Sequence, residues 1–117
     1  MNTLYTVKEK ISTNPNHLSL YLMDFVDDFR YHKDINMIQK PFIRNHNRID
    51  ALLASTAEYL CDELGWQPPT WLSTIPACEK PWFVAGMESL KAIALAESPL
   101  RFRIRKIFVM ENFLSRA

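Results

Sequence analysis

Apolar residues recur at spacings of three and four along much of the chain, which is the period of an α-helix that buries one face. The clearest series is Leu18, Leu22, Phe25 and Phe29. This series predicts a core-facing helix, and we expect Asn14 to cap it with Pro15 at its first helical position. We expect the helix to end at Tyr31 or His32.

A shorter amphipathic stretch lies before this helix. Thr6 and Glu9 have the spacing of a capping box, in which each side chain bonds the backbone amide of the other residue. Val7 and Ile11 share one face, so we expect a short first helix that ends near Asn14-Pro15. A further helical turn is expected within residues 34–39.

The third helix has the strongest pattern in the chain. Its apolar face is expected to contain Ile49, Leu52, Leu53, Thr56, Leu60 and Leu64. We expect Asn47 as its N-cap and Asp50 in its first turn, where a negative charge suits the helix dipole. Gly65 is expected to adopt the left-handed conformation that commonly ends a helix, with Trp66 packing back near Cys61.

Residues 66–81 are rich in proline, and Trp66, Trp71 and Trp82 lie in or beside them. Proline at this density excludes a long helix or a central strand. Each tryptophan has a large apolar area to bury, which argues against a solvated linker. We therefore expect an ordered wrap over the helical core, with one helical turn at Thr70–Ser73.

The last third of the chain predicts a fourth main helix over 87–97. Its inward stripe is expected to contain Met87, Leu90, Ile93 and Ala94. Ser98-Pro99 ends this helix. Apolar residues then alternate with arginines over 100–105, which is the period of a strand, whereas the Ser-Pro start favours a helix. We favour a short helix, then an extended segment at 107–109 and a last turn at 112–115.

Together these elements predict an all-α fold, a compact bundle of about four to six helices with the Pro/Trp-rich wrap between the third and fourth main helices. The length of 117 residues and the hydrophobic content of 48% suit one domain with a core of its own. Only 2 glycines are present, which disfavours a sandwich or barrel with many tight turns. We expect residues 1–117 to form a single helical domain.

Charge and cysteine content narrow the function classes. The 14 basic and 13 acidic residues leave a net charge of +1. A chain with so little net charge is not expected to bind nucleic acid through its overall electrostatic attraction. No apolar run approaches the roughly 20 residues that a membrane helix needs, and the start lacks the apolar centre of a secretory signal. We expect a cytoplasmic protein without a cofactor, with Cys61 reduced in the core and Cys78 reduced and exposed.

Several short motifs occur in an order that is typical of one group of proteins. They are the alanine-rich stretch Ala51–Leu60, Pro69-Thr70-Trp71, Pro81-Trp82-Phe83, Glu97-Ser98-Pro99, and an arginine cluster followed by Ile107-Phe108-Val109. In this order they resemble small uncharacterised bacterial all-helical domains, some of which form the tail of helix-turn-helix regulators of the antitoxin type. The likeness covers residues 48–117. It implies a helical fold and a regulatory or partner-binding role, and it implies no chemistry.

Two groups of residues with acidic side chains have a spacing that a metal site or an acid–base pair could use. Asp24, Asp28 and His32 lie four positions apart, but three such residues span about 12 Å, so only a pair such as Asp28 and His32 can reach one metal ion. That pair would need ligands from elsewhere, and the alternative is a solvated acidic face. Glu58 and Asp62 are a second pair, and we expect both to be exposed charges. No catalytic residue is assigned.

The final residues carry a cluster of positive charge. Its members are Arg101, Arg103, Arg105, Lys106 and Arg116, with phenylalanines between them. One interpretation is that the arginines pair with the acidic second and third helices. We expect at least two cations to stay exposed as a partner-binding patch, and an acidic protein surface is favoured over DNA.

Three functions therefore remain open. The favoured one is a non-catalytic protein-interaction or regulatory, antitoxin-like module, whose partner is another protein or a second copy. The first alternative is a nucleic-acid binder that uses the C-terminal basic cluster. The second alternative is a small metal-dependent enzyme that uses Asp28 and His32.

Overall fold

The computed structural model describes residues 2–84 and 90–115, and these residues form six α-helices and one pair of short strands. The helices are α1 (Leu4–Thr13), α2 (Leu18–His32), α3 (Asn47–Leu64), α4 (Thr70–Ser73), α5 (Lys91–Glu97) and α6 (Leu100–Arg103). The strands are β1 (Trp82–Phe83) and β2 (Ile107–Phe108), and 3₁₀ turns cover Pro15–His17 and Ile35–Met37. The predicted all-α bundle is confirmed.

Helix α3 lies at the centre of the fold. Between positions 50 and 61, Tyr59 alone is not fully buried, which is the pattern of a helix enclosed on every side. Helices α1, α2, α4 and α6 all pack against it. The small side chains of Ala51, Ala54 and Ala57 are completely buried. These four helices are therefore positioned by their contact with α3.

Helix α1 begins earlier than predicted. The N-cap is Thr3, whose hydroxyl accepts a hydrogen bond from the Thr6 amide at 3.1 Å, while Thr6 accepts one from the Thr3 amide at 3.0 Å. The predicted cap at Thr6 is wrong because a helix that begins at Leu4 buries Leu4 together with Val7 and Ile11. The added turn supplies one more core residue to the predicted face.

Helix α2 follows the prediction closely. Its inward residues Leu22, Phe25, Val26 and Phe29 are buried, and it ends at His32, where Lys33 adopts a left-handed conformation. Pro15 begins a 3₁₀ turn, and the α-helix itself starts at Leu18. The side chain of Asn14 makes no capping hydrogen bond, so that part of the prediction is wrong.

The start of α3 also differs from the prediction. His46 is the N-cap, and its Nδ1 accepts a hydrogen bond from the Ile49 amide at 3.3 Å. Asn47 is instead used to hold the wrap: its side-chain amide donates to the Ala77 carbonyl and its oxygen accepts from the Glu79 amide. The wrap is thereby tied to the first turn of the central helix.

The end of α3 confirms the predicted cap. Gly65 has a φ of 69°, and the Trp66 amide donates to the Cys61 carbonyl at 2.9 Å. The Trp66 ring meets Phe29 edge to face at a centroid distance of 6.1 Å. The turn thus directs Trp66 onto α2.

The Pro/Trp-rich wrap is ordered over the core. The predicted helical turn at Thr70–Ser73 is α4, and the Trp71 indole donates to the Ile38 carbonyl at 3.0 Å. The Trp71 ring also meets Phe42 edge to face at 5.3 Å.

Cys78 is only 2% exposed, so its predicted exposure is wrong. Its amide donates to the Arg105 carbonyl, because the wrap crosses the C-terminal segment at this point.

The C-terminal elements follow the predicted order. The described part of the fourth main helix is Lys91–Glu97, while Met87 lies outside the described residues. Ala94 is buried but Ile93 is 43% exposed, since neighbouring helical positions point about 100° apart. The predicted place of Ile93 on the inward stripe is therefore wrong. Helix α6 and strand β2 match the favoured helix-then-extended interpretation.

The two strands connect the wrap to the C-terminal segment. They are parallel, and Trp82 is in register with Ile107 and Phe83 with Phe108. Ser98 supports this arrangement, because its hydroxyl accepts a hydrogen bond from the Val109 amide at 2.8 Å. Among the described residues, no helix combines the length and the apolar character needed to cross a membrane.

Candidate protein-interaction surface

The structure divides the predicted basic cluster into two pairs. Arg101 and Arg105 face α3, and they form ion pairs with carboxylates of that helix. Arg103 and Lys106 are exposed to solvent. Arg116 lies outside the described residues. The division follows from the helical start of this segment, which places positions 101 and 105 on one face.

Arg105 is 5% exposed, and each of its three guanidinium nitrogens donates a hydrogen bond within the fold. It forms an ion pair with Glu58, and its guanidinium also donates to Ser55 Oγ and to the carbonyls of Leu72 and Ile75. Arg105 therefore lies outside the surface that we predicted for it. Glu58 is 3% exposed, so its predicted exposure is wrong. A buried guanidinium needs a buried counter-charge, and Glu58 supplies it.

Arg101 is half-buried and largely neutralised. Its guanidinium donates to both oxygens of the Asp62 carboxylate, at 2.8 and 2.9 Å, and lies 3.7 Å from Glu58. The hydrogen bond to Asp62 raises the pKa of Arg101 further above its ordinary value. The interpretation that arginines of this segment pair with the third helix is thus correct for Arg101 and Arg105.

The outward face of α6 combines apolar and basic side chains. Leu100 is 67% exposed and Ile104 is 56% exposed, and their spacing of four places them on the same face. Arg103 lies between them in the sequence, and its guanidinium donates to the Ser98 carbonyl at 2.8 Å. The opposite face buries Phe102 against the core. We call Leu100, Arg103, Ile104 and the adjoining Lys106 the α6 face.

A second group of cations adjoins Lys106. The Trp82 amide donates to the Lys106 carbonyl at 2.8 Å, and the Arg48 guanidinium lies 5.6 Å from the centre of the Trp82 ring. Arg48 and Lys80 line a cavity of about 380 Å³ beside the start of α3. We call Arg48, Lys80 and Lys106 the Trp82 cations. Arg48 and Lys80 were not predicted, because they are 32 positions apart in the sequence and only the fold brings them to one cavity.

Neither group is neutralised by a neighbouring acid. Within the described ranges 2–84 and 90–115, no carboxylate forms an ion pair with Arg48, Lys80, Arg103 or Lys106. Two of these cations, Arg48 and Lys106, affect the pKa of the Cys78 thiol. Burial raises the pKa of the Cys78 thiol, and the positive charges of Arg48 and Lys106 oppose that rise. The surface therefore keeps a local excess of positive charge.

The metal candidates are not brought into a ligand set. Asp28 accepts a hydrogen bond from the Asn2 side chain at 2.8 Å, and the exposed His32 ring lies edge-on to Tyr31. In the part of the chain that the structure describes, no three residues of the His, Cys, Asp or Glu types are grouped so that they could hold an ion. Among the described residues, Asp28 and His32 are therefore not joined by the further ligands that a metal ion would need.

A second buried ion pair was also not predicted. The Lys8 ammonium donates to Asp50 at 2.5 Å, to the Ile43 carbonyl at 2.6 Å and to Asn45 at 2.9 Å. All three of its N–H donors are therefore used within the fold. Lys8 lines small cavities on both sides of this contact, but its role is to hold the loop before α3 against α1.

Comparisons of the chain with protein-family models, with curated proteins and with solved structures find no match. The resemblance of residues 48–117 to bacterial helical domains therefore stays a prediction. The partner-binding roles of Arg101, Arg103 and Lys106 stay predictions as well.

Proposed function

We propose that this protein is a non-catalytic protein-interaction module that binds an acidic partner protein through the α6 face. One observation carries the proposal: two large apolar side chains, Leu100 and Ile104, are exposed on the same helix face beside Arg103 and Lys106, two cations that form no ion pair with any described residue. A single exposed leucine is ordinary in a folded protein. An apolar pair with arginine at its edge is the composition of an interface.

The charge of the face favours a different protein over a second copy of this chain. In a two-fold dimer the same surface patch meets itself, so the cations Arg103 and Lys106 would face an equally positive patch on the second copy. Like charges brought together in an interface cost binding free energy. An acidic surface removes that cost, while Leu100 and Ile104 supply the apolar area that gives affinity.

The same division of charge weakens the nucleic-acid alternative. Arg101 and Arg105 already pair with Asp62 and Glu58, so they are not free to contact phosphates. The α6 face offers about two phosphate contacts, and affinity for duplex DNA at physiological salt rises with the number of such contacts.

The biological setting of the module is also part of the proposal. The resemblance of residues 48–117 implies a bacterial protein with a regulatory, antitoxin-like role, and we expect it to act in the cytoplasm. In such a role the module would hold or inhibit an acidic partner without changing it chemically. No metal or organic cofactor is needed for this activity.

Site-specific crosslinking tests the proposal. A photoreactive amino acid is placed at Ile104 or, as a control, at Leu20, which is exposed on α2. We expect a discrete crosslinked protein from position 104 alone. That protein is then purified, and its affinity is measured for the wild type and for the Leu100→Gln, Ile104→Gln and Leu20→Gln variants.

The expected result is a loss of binding of about tenfold or more for each α6 variant, because interface anchors typically contribute that much or more. Leu20→Gln should bind like the wild type. Equal affinity of all variants, or a partner that carries no acidic surface, would contradict the proposal. Concentration-dependent dimerisation that Ile104→Gln abolishes would instead show that the face binds a second copy.

A further inference from the structure

Cations from three distant parts of the chain converge beside Trp82. Arg48 comes from the first turn of α3, Lys80 from the wrap and Lys106 from the C-terminal segment. The convergence follows from contacts within the fold: the Trp82 amide binds the Lys106 carbonyl, the Arg48 guanidinium lies over the Trp82 ring, and Arg48 and Lys80 share a cavity. Bringing like charges together opposes folding, so such a cluster calls for an external counter-charge.

The acid that shares the cavity does not cancel this cluster. Glu79 lines the same cavity as Arg48 and Lys80, but among the described residues it forms no ion pair with either. Its backbone amide is bonded to the Asn47 side chain, which fixes the position of the wrap at this point. With Glu79 counted against them, Arg48, Lys80 and Lys106 still leave an excess of positive charge.

We propose that the Trp82 cations form a second subsite for the same partner, and that this subsite binds the carboxylates of an extended acidic segment. This inference rests on the proposed function, since Lys106 belongs to both the α6 face and the Trp82 cations. A segment anchored on Leu100 and Ile104 would pass Lys106 and place its acidic residues at Arg48 and Lys80. The guanidinium of Arg48 can bind a carboxylate through two parallel hydrogen bonds.

The aromatic residues disfavour a nucleic-acid strand at this position. Single-stranded nucleic acid is bound by stacking its bases on free aromatic faces. One face of Trp82 has Arg48 over it, and the partly buried ring also packs against the core. Phe83 and Phe108 are stacked on each other at 5.0 Å, and Lys91 lies over Phe83. These contacts occupy faces of Trp82, Phe83 and Phe108 on which bases would otherwise stack.

A peptide-binding experiment tests the subsite. The probe is a fluorescently labelled peptide rich in glutamate with a pair of leucines, compared with a labelled single-stranded oligonucleotide of equal charge. The test variant is Arg48→Gln with Lys80→Gln. The matched control is Lys10→Gln with Lys33→Gln, which removes two exposed cations elsewhere. All four positions are exposed, and circular dichroism confirms that each variant is folded.

We expect the wild type to bind the acidic peptide and the test variant to bind it about fivefold more weakly, with a smaller dependence on salt. The control variant should match the wild type. If Leu100→Gln with Ile104→Gln abolishes peptide binding while the Arg48 and Lys80 variant does not change it, the subsite is refuted and the proposed function stands.

If no variant changes peptide binding, or if the wild type does not bind the peptide, both the subsite and the α6 face are refuted as acidic-peptide sites. Tighter binding of the oligonucleotide than of the peptide at physiological salt, lost in the Arg48 and Lys80 variant, would overturn the inference in favour of nucleic acid.

Discussion

The guanidinium of Arg105 lies against the carboxylate of Glu58, 47 positions earlier in the chain, and both side chains are almost completely buried. The same guanidinium donates to the carbonyls of Leu72 and Ile75 in the wrap. One side chain therefore joins the central helix, the wrap and the C-terminal segment. Since Arg101 of α6 also approaches Glu58, this contact sets the side of α6 that faces solvent.

The first prediction concerns this buried pair. Arg105→Met should lower the free energy of unfolding by about 3–5 kcal/mol, because it leaves the Glu58 carboxylate buried without a counter-charge. Adding Glu58→Leu should recover part of the loss, since the double variant buries no charge at this position. Urea denaturation measures both values.

Arg101→Gln is the matched control for that experiment. Arg101 binds the exposed Asp62, so its loss should cost less than about 1 kcal/mol and should cost still less at high salt. An equal effect of the Arg101 and Arg105 substitutions would show that burial does not distinguish the two ion pairs.

The second prediction concerns Lys8 and Asp50, which join α1 to the start of α3. Lys8→Met should destabilise the protein by about 3–5 kcal/mol, because Asp50 and the Ile43 carbonyl lose a buried donor. Lys10→Met, at an exposed position of the same helix, should change the stability by about 0.5 kcal/mol or less. Thermal unfolding of the two variants gives the comparison, and similar midpoints would rule out a structural role for Lys8.

The third prediction concerns the end of α3. Gly65→Ala should destabilise by about 1 kcal/mol, because an alanine at a φ of 69° is strained. An added Cβ meets no atom of a neighbouring side chain or segment within 4 Å, so the cost comes from the residue's own backbone conformation. Gly65→Asn should recover much of the loss, since asparagine tolerates this conformation. A Gly65→Ala variant that is more stable than the wild type would show that α3 continues past this residue.

The fourth prediction tests the attachment of the wrap. Trp71→Ala should cost about 3 kcal/mol, at the low end of the range for a buried tryptophan, because Trp71 is only half-buried. Trp71→Phe keeps an aromatic ring against Phe42 but loses the hydrogen bond to the Ile38 carbonyl, and it should cost about 1 kcal/mol. Chemical denaturation measures both variants. An unchanged Trp71→Ala variant would mean that this side chain does not pin the wrap.

The fifth prediction concerns the buried thiol of Cys61. Burial, assisted by the negative charge of Asp62, raises its pKa to about 11. A thiol whose pKa is higher in the folded state stabilises the fold below its unfolded pKa, and this contribution is lost as the pH rises toward 11. The free energy of unfolding should therefore fall between about pH 9 and pH 11, and fall less steeply in Cys61→Ala.

The reactivity of the thiol provides an independent check of the same prediction. A thiol reagent should modify Cys61 slowly in the folded protein and rapidly in denaturant, because the thiolate is the reactive form. Fast modification of the folded Cys78→Ala variant, in which Cys61 is the remaining thiol, would contradict the burial of this residue.

Much of the helical structure could be predicted from the sequence because its signals are local. The stripe from Leu22 to Phe29, the turn at Thr70–Ser73 and the left-handed Gly65 all depend on residues a few positions apart. Caps were less predictable. The choice of Thr3 over Thr6 was decided by the burial of Leu4, and a cap competes with such neighbouring contacts.

The candidate surface was predicted only in part. Two cations of the C-terminal cluster stay exposed as expected, and the structure identifies them as Arg103 and Lys106. Arg48 and Lys80 lie near Lys106 through contacts that no local pattern reveals. Cys78 was expected at the surface, but the crossing of the wrap over the C-terminal segment covers it.

The sequence by itself determined which segments are helical and where α2 and α3 end, since helix periodicity, proline breaks and glycine caps act within one or two turns. The tertiary structure alone decided which charges are buried and which are free. Glu58 finds Arg105 across 47 positions and Lys8 finds Asp50 across 42, and only packing brings such partners together. A charged side chain is buried where the fold places a counter-charge next to it. Without a counter-charge it remains exposed to solvent, because desolvation of an unpaired charge costs too much free energy.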